Sequence, residues 1–199
     1  MQLTGRTLAE VVTVGARLLA EAGVAFGHGT ACAEDEAAWL VLWKLGLPLD
    51  TELSPGLPGS KAETPVSDVQ RAELATLFAE RIKTRKPAAY LTREAWLQGV
   101  PFYVDERAIV PRSFIAELLA DGSIDEWLGE HTRQVLDLCT GNGSLACLAA
   151  LAWPEVMITG ADISTDALAV ARINVDKHDL RQRVGLMQSD GLAALPGPW

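Results

Sequence analysis

Apolar residues in the first part of the chain recur every three or four positions, a period typical of amphipathic helices. The pattern predicts a first helix from Leu8 to Ala22, a second at about 33–45 and a third that begins after Ser67. Thr7 and Glu10 resemble a capping box at the start of the first helix. The stretch 49–65, rich in Pro, Gly and Ser, is predicted to be an exposed loop.

From Tyr90 to Arg112 the pattern changes to short apolar runs broken by turn residues, which is typical of β structure. It predicts three short β segments and two turns: segments 95–98, 102–104 and 108–110, and turns at 99–101 and 105–106. We interpret this region as a β-hairpin that connects a helical domain to the next domain.

After a further helix that opens at Ser113, short apolar strands alternate with helical stretches. The expected order is strand, helix, strand, helix, strand, over residues 133–138, 143–152, 156–161, 164–178 and 184–188. Such alternation predicts a parallel sheet with right-handed crossovers. The chain is therefore expected to be an α/β protein with three parts: a helical domain over residues 1–88, a hairpin connector over 89–112 and an α/β domain over 113–199.

A glycine-rich turn, Cys139-Thr140-Gly141-Asn142-Gly143, follows directly on the first of these strands. Asp137 stands just before the turn, and Asp162 closes the next strand, 21 residues after Gly141. This order is how α/β sheets hold the adenosine part of a cofactor, because glycine lets the backbone approach the ligand without a Cβ. Asp162 is predicted to accept hydrogen bonds from both ribose hydroxyls.

The glycine spacing leaves the identity of the cofactor open, since Gly141, Gly143 and Ala146 also fit the loose dinucleotide pattern of a nicotinamide dehydrogenase. Asp137 favours S-adenosylmethionine, because a carboxylate there can reach the cationic amino-acid end and would repel a pyrophosphate. Asp190, after the third strand, is placed to meet the adenine. In the alternative interpretation the turn merely joins strand to helix, and Asp162 belongs to the N-cap region of the next helix.

The net charge of −9, from 17 basic and 26 acidic residues, argues against direct nucleic-acid binding, which depends on neutralising phosphates. It is compatible with a basic protein partner. The three cysteines have no metal-binding spacing, so no metal site is predicted and reduced thiols in a cytoplasmic protein are expected. No stretch approaches the roughly 20 apolar residues that span a bilayer, so no membrane association is expected.

Four motifs carry a family resemblance: Pro87–Leu91, Phe102–Arg107, Val110–Ser113 and Asp137–Gly143. Together they resemble the protein N(5)-glutamine methyltransferases, which methylate a glutamine side-chain amide within a protein. The resemblance implies S-adenosylmethionine as cofactor, a helical substrate-recognition domain, a hairpin connector and a Rossmann-like methyltransferase domain.

The branch of the family is indicated by the segment Pro111–Glu117. Release-factor methyltransferases carry Pro-Arg-Pro-Asp/Glu-Thr-Glu there, whereas this chain reads Pro-Arg-Ser-Phe-Ile-Ala-Glu. The run Tyr103–Arg107 and the pair Arg112-Ser113 resemble the branch that acts on ribosomal large-subunit protein three, uL3. That protein is therefore the partner that the resemblance implies, with a release-factor enzyme as the alternative.

The resemblance also implies a set of cofactor-binding residues: Arg112, Asp137, Cys139, Thr140, Gly141, Asn142, Gly143, Asp162, Ile163 and Asp190. Residues 139–143 would lie beneath the methionine portion, Asp162 would hold the ribose diol and Asp190 would lie beside the adenine. Arg112 matches a position near the pocket. Gly191 departs from the bulkier residue that relatives carry there, so weaker cofactor affinity is a possible consequence.

The family's Asn-Pro-Pro-Tyr motif, which holds the glutamine NH₂ group in line with the methyl–sulfonium bond, should follow shortly after Trp199. We therefore expect no catalytic residue within this chain, an incomplete sheet with an exposed apolar edge, and no methyl transfer by these residues alone. Two other hypotheses stay open. They are an amino-methylating DNA enzyme, which the negative charge disfavours, and a non-catalytic module that docks on a ribosomal protein.

Overall fold

The computed structural model describes residues 3–197 and divides into two compact units, one up to Thr92 and one from Arg93 onward. Trp199, after which the catalytic motif is expected, lies outside the described residues. The first unit is helical: α1 Leu8–Glu21, α2 Ala33–Lys44, α3 Asp68–Thr84 and α4 Ala88–Thr92. The second unit combines helices and strands: β1 Glu94–Leu97, β2 Val100–Tyr103, α5 Phe114–Ala120, β3 Gln134–Leu138, α6 Ser144–Ala152, β4 Met157–Asp162, α7 Thr165–Lys177 and β5 Val184–Gln188.

Side chains that cap the helices fix where α1 and α3 begin. Ser67 and Gln70 form a reciprocal capping box at α3. At α1 the Thr7 hydroxyl accepts a hydrogen bond from the backbone N–H of Glu10, but the Glu10 carboxylate accepts from Arg6 and not from Thr7. The second hydrogen bond of the predicted capping box is therefore made by the N–H of Arg6, one residue before the expected Thr7.

The loop 49–65 is less exposed than the sequence predicts. Ala62 is buried, and its carbonyl accepts a hydrogen bond from the N–H of Ala9, while the Thr64 carbonyl accepts from Leu8. The first N–H groups of a helix have no partner within the helix. The loop supplies carbonyl acceptors for the first N–H groups of α1, and for that reason part of the loop is buried.

A buried ion pair joins α2 to α3 in the first unit. Arg81, only 1% exposed, donates from Nε to Glu36 Oε1 at 2.7 Å and from a terminal nitrogen to the Ala25 carbonyl at 2.8 Å. The Thr30 hydroxyl donates to the other Glu36 oxygen at 3.1 Å. Because a buried charge is costly unless it is paired and hydrogen-bonded, these contacts satisfy both side chains together.

The hairpin of the second unit turns earlier than predicted. Gln98 and Gly99 both have positive φ, 50° and 73°, and form the two-residue turn, so Val100 and Pro101 belong to β2. Paired left-handed residues suit a hairpin because their twist matches that of the strands. The segment 108–110, expected as a third β segment, forms no strand.

The alternating strands and helices form the predicted parallel sheet, in the order β3-β4-β5. Helices α6 and α7 pack on one face, over a buried apolar cluster that includes Ile158, Val175 and Val184. The prediction of an α/β protein with an amino-terminal helical part is confirmed.

Side chains on the other face of the sheet remain accessible. By the strand register, Leu138, Met157 and Met187 point away from α6 and α7, and all three are exposed. These side chains form an exposed apolar patch on that face, and within residues 3–197 β3 and β5 are the edge strands of this sheet.

Gly15 provides a test of the first unit. An added Cβ at Gly15 of α1 would overlap the ring of Phe78 on α3. Gly→Ala inside a helix normally stabilises by about 1 kcal/mol, but overpacking costs about 1–3 kcal/mol. Gly15→Ala is therefore expected to lower the free energy of unfolding measured by denaturant titration. The double variant Gly15→Ala with Phe78→Leu should recover part of that loss, and a stabilised Gly15→Ala single variant would contradict the packing described.

Candidate cofactor-binding site

The turn between β3 and α6 has an alternating backbone: Cys139, Gly141 and Gly143 have φ of 61°, 56° and 77°. At Gly143 a Cβ would lie 2.9 Å from the Cβ of Ala171 in α7. Glycine is required there both by the positive φ and by the close approach of the helix. The second glycine of the motif is therefore explained by packing inside the protein, whether or not a ligand is bound.

Gly160 in β4, which the sequence analysis did not single out, supports the turn from below. A Cβ at Gly160 would lie 2.9 Å from Thr140 Oγ1. The Thr140 N–H donates to the Ala161 carbonyl at 2.9 Å. The turn therefore packs against the middle strand of the sheet. In the sequence, a glycine inside a predicted strand was the sign that another part of the backbone approaches closely there.

Asp137 holds the turn to the start of α6. Its Oδ2 accepts hydrogen bonds from the Thr140 hydroxyl at 2.5 Å and from the Ala146 N–H at 3.1 Å. Burial raises the pKa of Asp137, the two hydrogen bonds lower it, and the negative charge of Asp162 adds to the increase. Burial, followed by the charge of Asp137, raises the pKa of the neighbouring Cys147 thiol to about 12.

Asp162 bridges the turn and the next helix. Its Oδ2 accepts from the Gly141 N–H and its Oδ1 from the Ser164 N–H, each at 2.9 Å. Ser164 in turn caps α7 by accepting from the Ala167 N–H at 3.2 Å. Asp162 thus contacts the glycine turn and also lies in the N-cap region of α7, so the two interpretations of this residue are compatible.

Asn142 is only 4% exposed and has two different contacts in the turn. Its Oδ1 accepts from the Ser144 N–H at 3.2 Å, and its backbone carbonyl accepts from Asn174 Nδ2 at 2.8 Å. Its Nδ2 is buried and finds no hydrogen-bond partner in the described part of the chain. A buried amide donor without a partner is uncommon, and it is a feature that a bound ligand or water could satisfy.

The remaining predicted site residues lie farther from the turn. Ile163 is 63% exposed beside Asp162. Asp190 is exposed and follows β5, whose end pairs with the end of β4, so it stands at the same carboxyl edge of the sheet. Arg112 is exposed before α5, and within residues 3–197 the structure shows no hydrogen bond between it and the turn.

Asn174 is a second residue that sequence reasoning missed. It is fully buried in α7 and contacts both the turn and the hairpin. The available signal was one polar residue within the apolar stripe Val170, Ala171 and Val175 of a predicted helix.

Between residues 3 and 197, no group of three His, Cys, Asp or Glu side chains could hold a metal ion. No helix in that range is both long and apolar enough to cross a bilayer.

One family model matches most of the second unit. The family model for the methyltransferase small domain, MTS, matches residues 117–198, which include the turn and Asp162. Among solved structures, the N-terminal domain of human METTL16 in complex with SAH shares 12% identity and a TM-score of 0.37, covering 69% of this chain and 49% of that chain. That likeness is too weak to carry a conclusion.

Curated relatives named ribosomal protein uL3 glutamine methyltransferase match nearly the whole chain. The relative from Burkholderia pseudomallei is 47% identical, covering 96% of this chain and 61% of its own length. The relative from Bordetella pertussis is 45% identical, covering 96% and 62%. The relative from Neisseria meningitidis serogroup A is 43% identical, covering 97% and 62%. The chain therefore spans 61% to 62% of the length of these three relatives.

These identities extend over both units, so they cover the helical part as well as the cofactor turn. They confirm the resemblance that the four sequence motifs indicated. Over both of its units the chain is therefore similar to curated proteins named ribosomal protein uL3 glutamine methyltransferase.

Proposed function

We propose that this chain binds S-adenosylmethionine and serves in the methylation of a glutamine side-chain amide nitrogen of ribosomal protein uL3. The observation that carries the proposal is the pair of carboxylates, Asp137 and Asp162, at the glycine turn. The curated relatives of the chain are named ribosomal protein uL3 glutamine methyltransferase, which agrees with it. The relatives supply the reaction class and the substrate, and the turn supplies the cofactor chemistry.

The turn has the shape that an adenosine cofactor requires. Gly141 has φ of 56°, and a Cβ there would find its nearest neighbour, the Cys139 carbonyl oxygen, 4.0 Å away. A side chain would therefore extend into open space beside the backbone, and glycine leaves that space to a ligand. Gly141 is also the residue whose N–H is bound by Asp162, so the ligand would meet a fixed backbone.

The charge at the turn distinguishes between the two cofactor classes. Asp137 and Asp162 lie close enough that the charge of Asp162 adds to the raised pKa of Asp137. Like charges repel in a partly buried site, so this pair disfavours the diphosphate of a nicotinamide dinucleotide. S-adenosylmethionine carries a sulfonium and an ammonium group, which the same carboxylates attract.

The cofactor would supply a methyl group activated by the sulfonium, and the protein would supply position. We assign residues 139–143 to the methionine portion, with Asp137 facing its cationic end. Asp162 is assigned to the ribose hydroxyls, Asp190 and Ile163 to the adenine side of the pocket, and Arg112 to its rim. Asp162 already accepts two backbone N–H groups, and a carboxylate has about four acceptor positions, so two remain for a diol.

The helical part of the chain is assigned to recognition of the protein substrate. Its boundaries would be 1–88, with the hairpin region 89–112 as connector and 113–199 as the cofactor part. A net charge of −9 complements a basic protein partner and disfavours nucleic acid. We place the enzyme in the cytoplasm, where ribosomal proteins are made.

Replacing Asp162 tests the cofactor assignment. Asp162→Asn keeps the size of the side chain but loses the charge and one acceptor, so its NH₂ group would face a backbone N–H. Hydrogen bonds to charged groups contribute about 1.5–3 kcal/mol, so the affinity for S-adenosylmethionine is expected to fall roughly tenfold or more in calorimetric titration.

The matched control is Asp179→Asn, which makes the same change at an exposed position beyond the end of α7. It should bind the cofactor with the affinity of the unchanged protein. Equal affinities of all three proteins for S-adenosylmethionine, or a preference of the unchanged protein for a nicotinamide dinucleotide, would contradict the assignment.

The substrate can be tested by extending this chain with the part of the Burkholderia relative that it does not match. With labelled S-adenosylmethionine, the chimera is expected to label uL3 on glutamine and to leave release factors unlabelled. The same chimera with Asp162→Asn controls for adventitious labelling. Transfer to a release factor, or to duplex DNA, with uL3 unlabelled would show that the substrate has been assigned wrongly.

A further inference from the structure

The side-chain amide of Asn174 holds together two segments that are far apart in sequence. It is fully buried in α7. Its Oδ1 accepts from the Tyr103 N–H at 2.7 Å, while its Nδ2 donates to the Tyr103 carbonyl at 2.9 Å and to the Asn142 carbonyl at 2.8 Å. Both N–H bonds of the amide are therefore used, one toward β2 and one toward the glycine turn.

On the hairpin side, Asn174 takes the place of a neighbouring strand. It pairs with both the N–H and the carbonyl of Tyr103, as a partner residue would in an antiparallel ladder. One helical turn further along α7, His178 contacts the Pro101 carbonyl at 3.0 Å and packs edge-on against Phe102. The strand β2 is thus fastened along α7 at two successive points.

On the turn side, the contact falls between the two glycines. Asn142 lies between Gly141, whose N–H is bound by Asp162, and Gly143, which packs against Ala171. The hydrogen bond from Asn174 to the Asn142 carbonyl therefore acts on the middle of the turn. Any displacement of that carbonyl would shift both glycines.

We propose that Asn174 is a positioning residue that couples the conformation of the hairpin to that of the cofactor turn. One rigid amide serves both segments, so β2 cannot shift along α7 without straining the hydrogen bond to the turn. A buried amide is costly when a partner is lost, which makes the three contacts form or break together. The consequence for cofactor affinity rests on the proposed function, whereas the coupling itself is a property of the ligand-free protein.

Hydrogen exchange of the ligand-free chain tests the coupling directly. Asn174→Leu keeps the approximate side-chain size and removes all three hydrogen bonds. The N–H groups of Gly141, Gly143 and Ser144 do not bond to Asn174. In the variant they are nevertheless expected to exchange on the order of tenfold faster, relative to the Ile158 N–H in the middle of the sheet, as local opening is eased.

Val175→Ala is the matched control, since it removes buried volume from the adjacent position of α7 without touching turn or hairpin hydrogen bonds. It should lower overall stability while leaving the exchange of the turn unchanged relative to Ile158. If the turn responds equally to both variants, or to neither, the coupling is refuted.

A second variant changes the hairpin at a solvent-facing position and leaves Asn174 unchanged. Gly99→Val forces a β-branched side chain onto a residue with φ of 73°, and its Cβ would meet no atom within 4 Å. Only backbone strain in the hairpin is introduced. As a single substitution, Gly99→Val should accelerate hydrogen exchange in the glycine turn. Combined with Asn174→Leu, it should cause no further acceleration. The proposal would be overturned if the two substitutions had additive effects on exchange, or if Gly99→Val alone had none.

Binding of S-adenosylhomocysteine to the same proteins separates the two proposals. Asn174→Leu is expected to bind about tenfold more weakly, and Val175→Ala about as well as the unchanged protein. If the unchanged chain fails to bind while the exchange results hold, the cofactor proposal fails and the coupling stands. If the chain binds and Asn174→Leu binds equally well, the coupling has no part in the function of the site.

Discussion

One carboxylate, that of Asp162, determines how the carboxyl end of the sheet is organised. It accepts hydrogen bonds from the Gly141 N–H at the start of one crossover and from the Ser164 N–H at the start of the next. Because adjacent parallel strands end at the same edge, a short side chain at the end of β4 can reach both segments. That bridge ties the glycine turn to the start of α7 at the carboxyl end of the sheet.

Close packing fixes the other sides of the turn. Thr140 sits over Gly160, Gly143 lies against Ala171, and Asp137 ties the turn to the first residues of α6. Contacts within the protein therefore shape the turn and hold the two carboxylates in place. A preformed site loses little conformational freedom on binding.

Local patterns predicted the helices and the parallel strands correctly, but not all of the hairpin region. The alternation after Ser113 gave the three parallel strands, because strand and helix periods differ clearly in short apolar runs. The hairpin turn lies earlier than the sequence predicts, because Pro101, a residue type common in turns, is part of the edge strand β2. The third expected β segment has no partner strand, and a propensity alone does not make a strand.

The candidate site was predicted where chemistry and sequence position coincide, and missed where tertiary contacts decide. Asp162 and the glycines stand at strand ends, so their proximity follows from the topology. Asn174 and Gly160 gain their roles only from what packs against them. Arg81 is a similar case in the first unit, since its place near a helix end gave no sign that it would be buried against Glu36.

The most direct measurement of the central claim is a nitrogen-15 NMR titration of the chain with S-adenosylhomocysteine. The account predicts that backbone N–H signals of Gly141, Gly143, Ile163 and Asp190 shift together, with a common binding constant, while signals of the first unit stay unchanged. Shifts confined to other parts of the chain, or no shifts at saturating ligand, would contradict it.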